Sequence, residues 1–464
     1  MAGPMNSEQS NALAMARRLV WLYCILWLIE GTLRKWVVPS LSYQLLLVRD
    51  PVALGIYFYA WRARVFPVNG WLSFLWVLTA AIGLQAIVHV ATGSVSWSVA
   101  VFGVRTFVLH MPLIWVVPAV FGRKEITLLG KWVLILSLPM ALLMVAQFQA
   151  GSEHWLNAAT IKGGAQIGGA AGRVRPAGLF SFITGPIHFY ALTLVFSIAA
   201  FISKDLYPRW LGIAGLTGTL IAMSISASRG LVMGGAVVGA FGMFAAFRSG
   251  RALGAASAFA IIVALVFGVL GRYSTIQEGI AGFQERWTQG DEEFGTGHEV
   301  VARRFTSGFF TVFVWAERVP ILGYGVGCTS NLAVVKENLM VPVEGEFDRI
   351  VYEVGPITGF LFLGWRAALG ASIIVVGFGA LRSGNYLCLL LGSACFLDVL
   401  TGNIKTPTSY GYIGICGGLC LAAARAFSED EAPAIPERVK DIVQEQPRAR
   451  GRGRFAVGGA TPPP

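Results

Sequence analysis

Two arginines follow a glycine-rich run just before an apolar segment of membrane-spanning length. Arg173 and Arg175 come after Gly168-Gly-Ala-Ala-Gly172 and are followed by Pro176-Ala-Gly178. Glycines let backbone N–H groups approach an anion, and a guanidinium presents a planar fork that fits two phosphate oxygens at once. The combination predicts an anion-binding segment. A flexible loop with two interfacial anchors is the alternative.

A third arginine stands at a tight junction between two apolar segments. Arg229 lies in Ser228-Arg229-Gly230, with apolar residues on both sides. A charge near the membrane core costs about 2.5–3.5 kcal/mol on insertion scales. Arg229 is therefore either a functional cation or an interfacial side chain that snorkels to the headgroups.

Carboxylates gather around Arg349. Glu346 and Arg349 are at i, i+3 and Arg349 and Glu353 at i, i+4 on a helix, so both pairs are predicted to form ion pairs. Glu344 is then the carboxylate with the least obvious partner. A carboxylate partly desolvated at the membrane face could have a raised pKa and act as a general base. A solvated loop end carrying ion pairs is the alternative.

Two further arginines lie in an amphipathic stretch. Residues 298–318 carry Arg303 and Arg304 beside aromatic side chains. The pattern is typical of a helix lying on the membrane face.

Several other chemistries are disfavoured by the sequence. The GxGxG pattern at 323–327 lacks the strand–helix context of a dinucleotide site, and no HExxH or P-loop occurs. His89, His110 and His188 lie in apolar segments and are expected to be packed rather than to bind a metal. The sequence therefore predicts neither a metal nor another cofactor.

The elements that must position these residues are membrane helices. The chain has 464 residues, of which 55% are hydrophobic and 13% charged, against roughly 25% charged in soluble domains. Segments of about 20 apolar residues span a bilayer, and the sequence contains about twelve. The net charge of +11 is carried mainly between these segments. It therefore orients helices rather than indicating nucleic acid as a partner.

The predicted organisation is an all-α polytopic membrane protein with one large loop. Lys and Arg in the short loops place both termini in the cytoplasm, and no cleavable signal peptide is evident. The C-terminal tail is too rich in Arg, Gly and Pro to form a core. The segments are a cytoplasmic N-terminus (1–18), spans 1–9 (19–271), a large periplasmic loop (272–350), spans 10–12 (351–427) and a disordered cytoplasmic tail (428–464).

Over roughly residues 125–425 the chain resembles the O-antigen ligase and Wzy-type polysaccharide polymerase superfamily. The large external loop late in the chain is part of the likeness, and four short motifs carry the rest. They are Arg175 in RPAG, Arg229 in SRG, the run PILGYGVG at 320–327, and Glu353, Gly355 and Gly359 at the start of the next span.

The resemblance implies a glycosyltransferase with GT-C-like architecture in a bacterial inner membrane. Such enzymes use no nucleotide sugar and no metal, and transfer a glycan from a polyprenyl-pyrophosphate carrier to an acceptor hydroxyl. Polysaccharide export or chain-length proteins are conceivable partners. Ligases of the superfamily have a histidine about nine residues before the glutamate that matches Glu353, and this chain has Glu344 there. The departure weakens the ligase interpretation and leaves a polymerase or a divergent transferase, with Glu344 as the candidate base.

The predicted mechanism is a single displacement with inversion at the sugar. Glu344 or Glu346 removes the acceptor proton, the acceptor oxygen attacks the anomeric carbon, and polyprenyl pyrophosphate leaves. Arg349 and Glu353 support the site. The cations expected to stabilise the leaving group are Arg173, Arg175, Arg229, Arg303 and Arg304.

Other functions remain open at this point. A ligase-type transfer to a different acceptor fits the same motifs. A transporter or flippase for a lipid-linked sugar would also explain many spans and interior charges, although the sequence shows no internal repeat of the kind that transporters often have. A structural subunit of an export complex is a third alternative.

Overall fold

The computed structural model describes residues 6–160, 173–203, 206–294, 309–338, 343 and 345–427. Within these ranges the secondary structure is helical and contains no β-strand, as the sequence predicted. Residues 309–318 are helical as well. The other α-helices are α1 (Ser7–Thr32), α2 (Asp50–Arg62), α3 (Gly70–Ala91), α4 (Trp97–Val108), α5 (Leu113–Val120), α6 (Arg123–Gln149), α7 (Thr184–Ile202), α8 (Arg209–Ile225), α9 (Arg229–Arg248), α10 (Ala252–Leu265), α11 (Ser274–Phe294), α12 (Asn331–Glu337), α13 (Glu346–Arg382), α14 (Tyr386–Thr401) and α15 (Pro407–Ala426).

Among the described residues, six helices are long and apolar enough to cross a membrane, or up to eight spans if each of two bent pairs counts as one. The six are α1 with its π-helical continuation to Val37, α3, α6, α7, α9 and α13. The bent pairs are α4 with α5, at 51°, and Phe259–Val269 with Ser274–Glu285, at 110°. This content is compatible with a multi-pass membrane protein. The predicted number of about twelve spans would require shorter helices such as α8 and α14 to cross as well.

Contacts between helix termini mark two ends of the bundle. At one end, Lys35 Nζ donates to Gly178 O over 2.7 Å, so the end of α1 meets the segment before α7. At the other end, Arg17 Nε donates to Val120 O over 3.3 Å, which joins the start of α1 to the end of α5. We call the first end, where the connecting residues 33–49, 150–160, 173–183, 226–228 and 402–406 lie, the loop-rich end.

The helix α13 consists of two helical segments joined by a sharp turn. Gly355 has φ 74° and ψ 169°, which is not helical. Glu346 and Arg366 are 20 residues apart, yet Arg366 Nη1 lies 3.0 Å from Glu346 Oε1, where a straight helix would separate them by about 30 Å. A Cβ atom on Gly359 would lie 2.9 Å from Val351 Cγ2. The segment 346–354 therefore folds back along the first turns of 356–382.

The segment predicted as the large loop begins with a helix that packs against the bundle. After the 110° bend, α11 lies against the end of α8, and a Cβ on Gly279 would come within 2.4 Å of Ser224 O. Arg173 Nη2 donates to Glu278 Oε2 over 2.7 Å. This contact ties α11 to the arginine-bearing segment that precedes α7.

Candidate functional site

The two predicted ion pairs around Arg349 are confirmed. Arg349 Nε lies 2.9 Å from Glu346 Oε2, and Arg349 Nη1 lies 3.1 Å from Glu353 Oε2. All three side chains are buried. A buried pair is costly to break, because removing one partner leaves a charge without compensation.

Arg366 extends this cluster to the end of α14. Its Nε donates to Val399 O over 2.7 Å, and its Nη2 donates to Gly402 O over 2.6 Å and to Asp398 O over 3.2 Å. The last carbonyls of a helix have no partner within the helix. The guanidinium of Arg366 supplies that partner while its Nη1 bonds to Glu346.

Both carboxylate oxygens of Glu346 are engaged. Oε2 accepts from Arg349, and Oε1 accepts from Arg349, from Arg366 and, over 3.2 Å, from the backbone N–H of Ile404. Glu346 therefore links the start of α13 to the 402–406 connection. The predicted role of Glu346 as a base stays a prediction.

The glycine run at 323–327 packs against the turn in α13. A Cβ on Gly323 would lie 2.3 Å from Glu353 O, and one on Gly355 would lie 2.0 Å from Ile321 O, so neither position has room for a side chain. His89 Nε2 lies 3.3 Å from Gly323 O. The glycine run and the turn at Gly355, two of the motifs that carry the resemblance, therefore pack against each other through their backbones. His89, which was predicted to be packed, contacts this unit at Gly323 O.

Thr329 and Lys405 continue the cluster outside the spans. Thr329 Oγ1 donates to Glu353 Oε1, and Lys405 Nζ donates to Thr329 O over 2.9 Å. Burial, and secondly the nearby charge of Arg349, lowers the pKa of the Lys405 ammonium from its ordinary value. Lys405 is thus a partly desolvated cation at the loop-rich end.

Arg175 lies in a segment that is firmly held. Lys35 Nζ and Gln147 Nε2 both donate to Gly178 O, over 2.7 and 3.1 Å, and Gly178 N donates to Gln147 Oε1 over 2.7 Å. Arg175 Nε is buried and has no hydrogen-bond partner among the described residues. Arg173, in contrast, is half-exposed and paired with Glu278.

Arg229 is the first residue of α9. Ser228 caps the helix by accepting from Leu231 N over 3.4 Å, and Ala227 before it has φ 46°. Positive φ is unusual for a residue other than glycine and makes the connection between α8 and α9 sharp. The turn places a partly buried Arg229 at the loop-rich end.

A carboxylate, an imidazole and a hydroxyl meet where α7, α14 and α15 join. His188 Nδ1 lies 3.7 Å from Asp398 Oδ2, and His188 Nε2 lies 3.0 Å from Ser409 Oγ. Asp398, Ser409 and Lys405 were not among the predicted site residues, and His188 was expected only to be packed. The available signal was that Asp398 is the single acidic residue in the apolar stretch 386–401.

A second buried polar network joins α1, α2 and the break between α4 and α5. Glu30 pairs with Arg49 over 2.9 Å, and His110 Nε2 lies 3.2 Å from Asp50 Oδ1. These contacts fix the helices relative to one another beneath the loop-rich end. The other members of the network are Tyr23, Arg34 and Arg105.

Two of the apolar cavities between the described helices are lined in part by α7. One, of about 390 Å³, lies between α7, α8, α9 and α10. Along α9 it is lined from Val232, one turn below Arg229, to Ala246, and Gly239 leaves open space at its wall. The other, of about 460 Å³, lies between α1, α6, α7 and α15 and is lined by Trp21, Trp27 and Trp132 among others.

Three predicted site residues, Glu344, Arg303 and Arg304, lie outside the described residues. Within the described ranges, no group of three or more His, Cys, Asp or Glu side chains could hold a metal ion.

No protein-family model matches the chain, and no curated protein is found to be similar to it.

Proposed function

We propose that the protein is a polysaccharide polymerase. It transfers an oligosaccharide repeat unit from a polyprenyl-pyrophosphate carrier to a hydroxyl of a growing lipid-linked glycan, with inversion and without a metal. In this proposal it has about twelve spans in a GT-C-like arrangement, sits in a bacterial inner membrane and keeps both termini in the cytoplasm.

The observation that carries the proposal is the convergence of partly buried cations at one end of the helix bundle. Arg175, Arg229 and Lys405 all lie at the loop-rich end. Arg175 Nε is buried and has no hydrogen-bond partner among the described residues, and Lys405 Nζ donates to a backbone oxygen, that of Thr329. Preorganised cations stabilise the charge that develops on a leaving group without reorganisation during the reaction.

The roles follow from the charges. Arg175 and Arg229 bind the pyrophosphate, and Arg173, Arg303 and Arg304 add positive potential around it. Glu344 is the base predicted from the sequence, and it lies outside the described residues. Arg349 and Glu353 support the site by fixing the turn in α13, and Glu346 shares that contact with Arg349.

The apolar carrier requires a lipid-facing site beside the cations. The cavity along α9 begins one turn from Arg229 and contains almost no polar surface in its wall. We assign the polyprenyl chain to this cavity, because its head would then lie against Arg229. Along α9 the cavity wall runs from Val232 to Ala246, a length of about 21 Å.

The transporter alternative is less well supported by the described residues. Transport along a path through the membrane needs polar groups distributed across it, whereas the ion pairs of Arg349 and Arg366 and the cations Arg175 and Lys405 gather near one end. The absence of a histidine at position 344 continues to favour a polymerase over a ligase.

The test is a transfer reaction with purified protein and the lipid-linked repeat unit of its own host, read as a ladder on a gel. Arg229→Ala should abolish the ladder. Arg248→Ala, at the other end of the same helix and exposed, is the matched control and should leave it intact. A single added glycan on a different acceptor would indicate a ligase. Wild-type protein that moves the lipid across a vesicle without transfer would overturn the proposal.

A further inference from the structure

Asp398 occupies a position that stability does not explain. It lies in the last turn of α14, where the helix dipole disfavours a negative side chain. Its carboxylate accepts no hydrogen bond from the described residues, and its side chain is 26% exposed. An ionisable group in such a setting is costly, and such groups commonly serve a function.

The neighbouring imidazole is held rigidly with one edge towards this carboxylate. The ring of His188 stacks on Tyr412 with centroids 4.3 Å apart and an interplanar angle of 11°. Its Nε2 bonds to Ser409 Oγ, while its Nδ1, 3.7 Å from Asp398, is buried and has no hydrogen-bond partner in the described part of the chain. His188 itself is 4% exposed, so Asp398 is the more accessible member of the pair.

The pair lies beside the proposed pyrophosphate site. The helices α7, α9 and α14 pack against one another. His188, Arg229 and Asp398 each lie near the ends of these helices that meet at the loop-rich end. Arg366 donates to the backbone oxygen of Asp398 and so fixes the turn that carries the carboxylate.

Compared with Asp398, the carboxylates of Glu346 and Glu353 in α13 are less suited to act as the base, because both are already hydrogen-bonded. Glu346 is bonded by two arginines and a backbone N–H, and Glu353 by Arg349 and Thr329. A general base must have a free lone pair within reach of the proton that it removes. Asp398 has such a lone pair, because its carboxylate accepts no hydrogen bond from the described residues.

Resting on the proposed function, we propose that Asp398 is the general base of the transfer and His188 its positioning residue. Asp398 takes the proton of the acceptor hydroxyl as that oxygen bonds to the anomeric carbon. The bond from that carbon to the pyrophosphate oxygen breaks, and its electron pair leaves on polyprenyl pyrophosphate. The proton passes from Asp398 to solvent. His188 directs its Nδ1 edge at the carboxylate and favours its ionised form.

The experiment measures kcat in the transfer reaction and, separately, the Kd for a fluorescent polyprenyl pyrophosphate. Asp398→Asn should lower kcat by about 10²–10⁴-fold and leave Kd unchanged, whereas Arg229→Ala should raise Kd. Asp348→Asn, which alters a carboxylate bonded by Thr311, is the matched control and should leave kcat near the wild-type value. Unchanged kcat in Asp398→Asn would overturn the role of Asp398 while the proposed function stands. A wild-type protein without transfer would overturn both.

Two further variants separate catalysis from folding. Asp398→Glu keeps the charge but moves the carboxylate, so the variant should fold normally and transfer slowly. Wild-type kcat in both Asp398→Glu and Asp398→Asn would contradict the inference. His188→Gln should lower kcat modestly and move the acidic limb of the kcat–pH profile to higher pH, because the carboxylate loses a group that favours its ionised form. A purely structural role would reduce the amount of folded enzyme and leave that limb in place.

Discussion

Glu346 and Arg366, 20 residues apart on what is nominally one helix, are in direct contact at 3.0 Å. The contact exists because the chain reverses at Gly355. It joins the short segment 346–354, the long segment 356–382 and, through the backbone oxygens that Arg366 bonds, the end of α14. A single guanidinium thus connects the motif that opens α13 to the helix that carries Asp398.

The first prediction concerns this contact. Glu346→Gln removes the negative charge between Arg349 and Arg366, so it should destabilise the protein by on the order of 3 kcal/mol. The measurement is the thermal unfolding midpoint in detergent. Glu317→Gln, at an exposed position of the 309–318 helix, is the control. A variant with the wild-type midpoint but no transfer would instead favour Glu346 as the base.

The second prediction concerns the turn. Gly355→Ala should prevent correct folding, since its φ of 74° disfavours a side chain and a Cβ would lie 2.0 Å from Ile321 O. Gly364→Ala, on the long segment with nothing within 4 Å of the added Cβ, should be neutral or stabilising by about 0.5–1 kcal/mol. Yield of monodisperse protein in size-exclusion chromatography checks both. A normal yield of Gly355→Ala would contradict the positive φ and the close backbone contact at this turn.

The third prediction concerns the cavity along α9. Gly239→Leu places a side chain in open space at the cavity wall, so the protein should fold normally while the polyprenyl chain is excluded. We expect the Kd for polyprenyl pyrophosphate to rise, measured by fluorescence. Gly83→Leu in α3, where the added side chain also meets nothing within 4 Å, should bind as the wild type does. Equal affinity in both variants would place the polyprenyl chain elsewhere.

The fourth prediction concerns pH. The pKa of Lys405 is lowered in the folded protein by burial and by Arg349. Between that lowered pKa and the ordinary value of 10.5, the unfolded chain binds more protons than the folded one, so stability rises with pH. We expect the thermal unfolding midpoint of the wild type to rise relative to that of Lys405→Met as the pH increases from neutral towards 10.5. If the difference between the two midpoints fell as the pH rose, folding would raise the pKa of Lys405 instead of lowering it.

The helical class, the approximate helix positions and the ion pairs of Arg349 could be predicted from the sequence because each depends on local periodicity. Hydropathy identifies apolar helices, and spacings of three and four residues place side chains together on a helix. The reversal at Gly355 is not local. It depends on the close approach of residues 321–323, and so the contact of Arg366 with Glu346 could not be deduced from spacing.

The pairing of Asp398 with His188 was missed for the same reason. The two residues belong to α14 and α7, more than two hundred positions apart, and only helix packing brings them together. Asp398 is recognisable from the sequence as an acidic residue in an apolar stretch. A packed histidine and one that faces a carboxylate have the same sequence pattern, so the role of His188 could not be deduced.

The turn in α13 also determines the depth at which chemistry could occur. From Arg382 to Arg366 the long segment rises about 24 Å, which is less than the roughly 30 Å of hydrocarbon. The remaining turns up to Gly355 extend past that thickness. If Arg382 marks one surface of the bilayer, Arg366 lies just below the opposite surface, and the carboxylates of 346–354 bridge the boundary. A sugar–pyrophosphate at headgroup level would then meet charged groups at a low-dielectric edge, where electrostatic attraction is stronger than in open water.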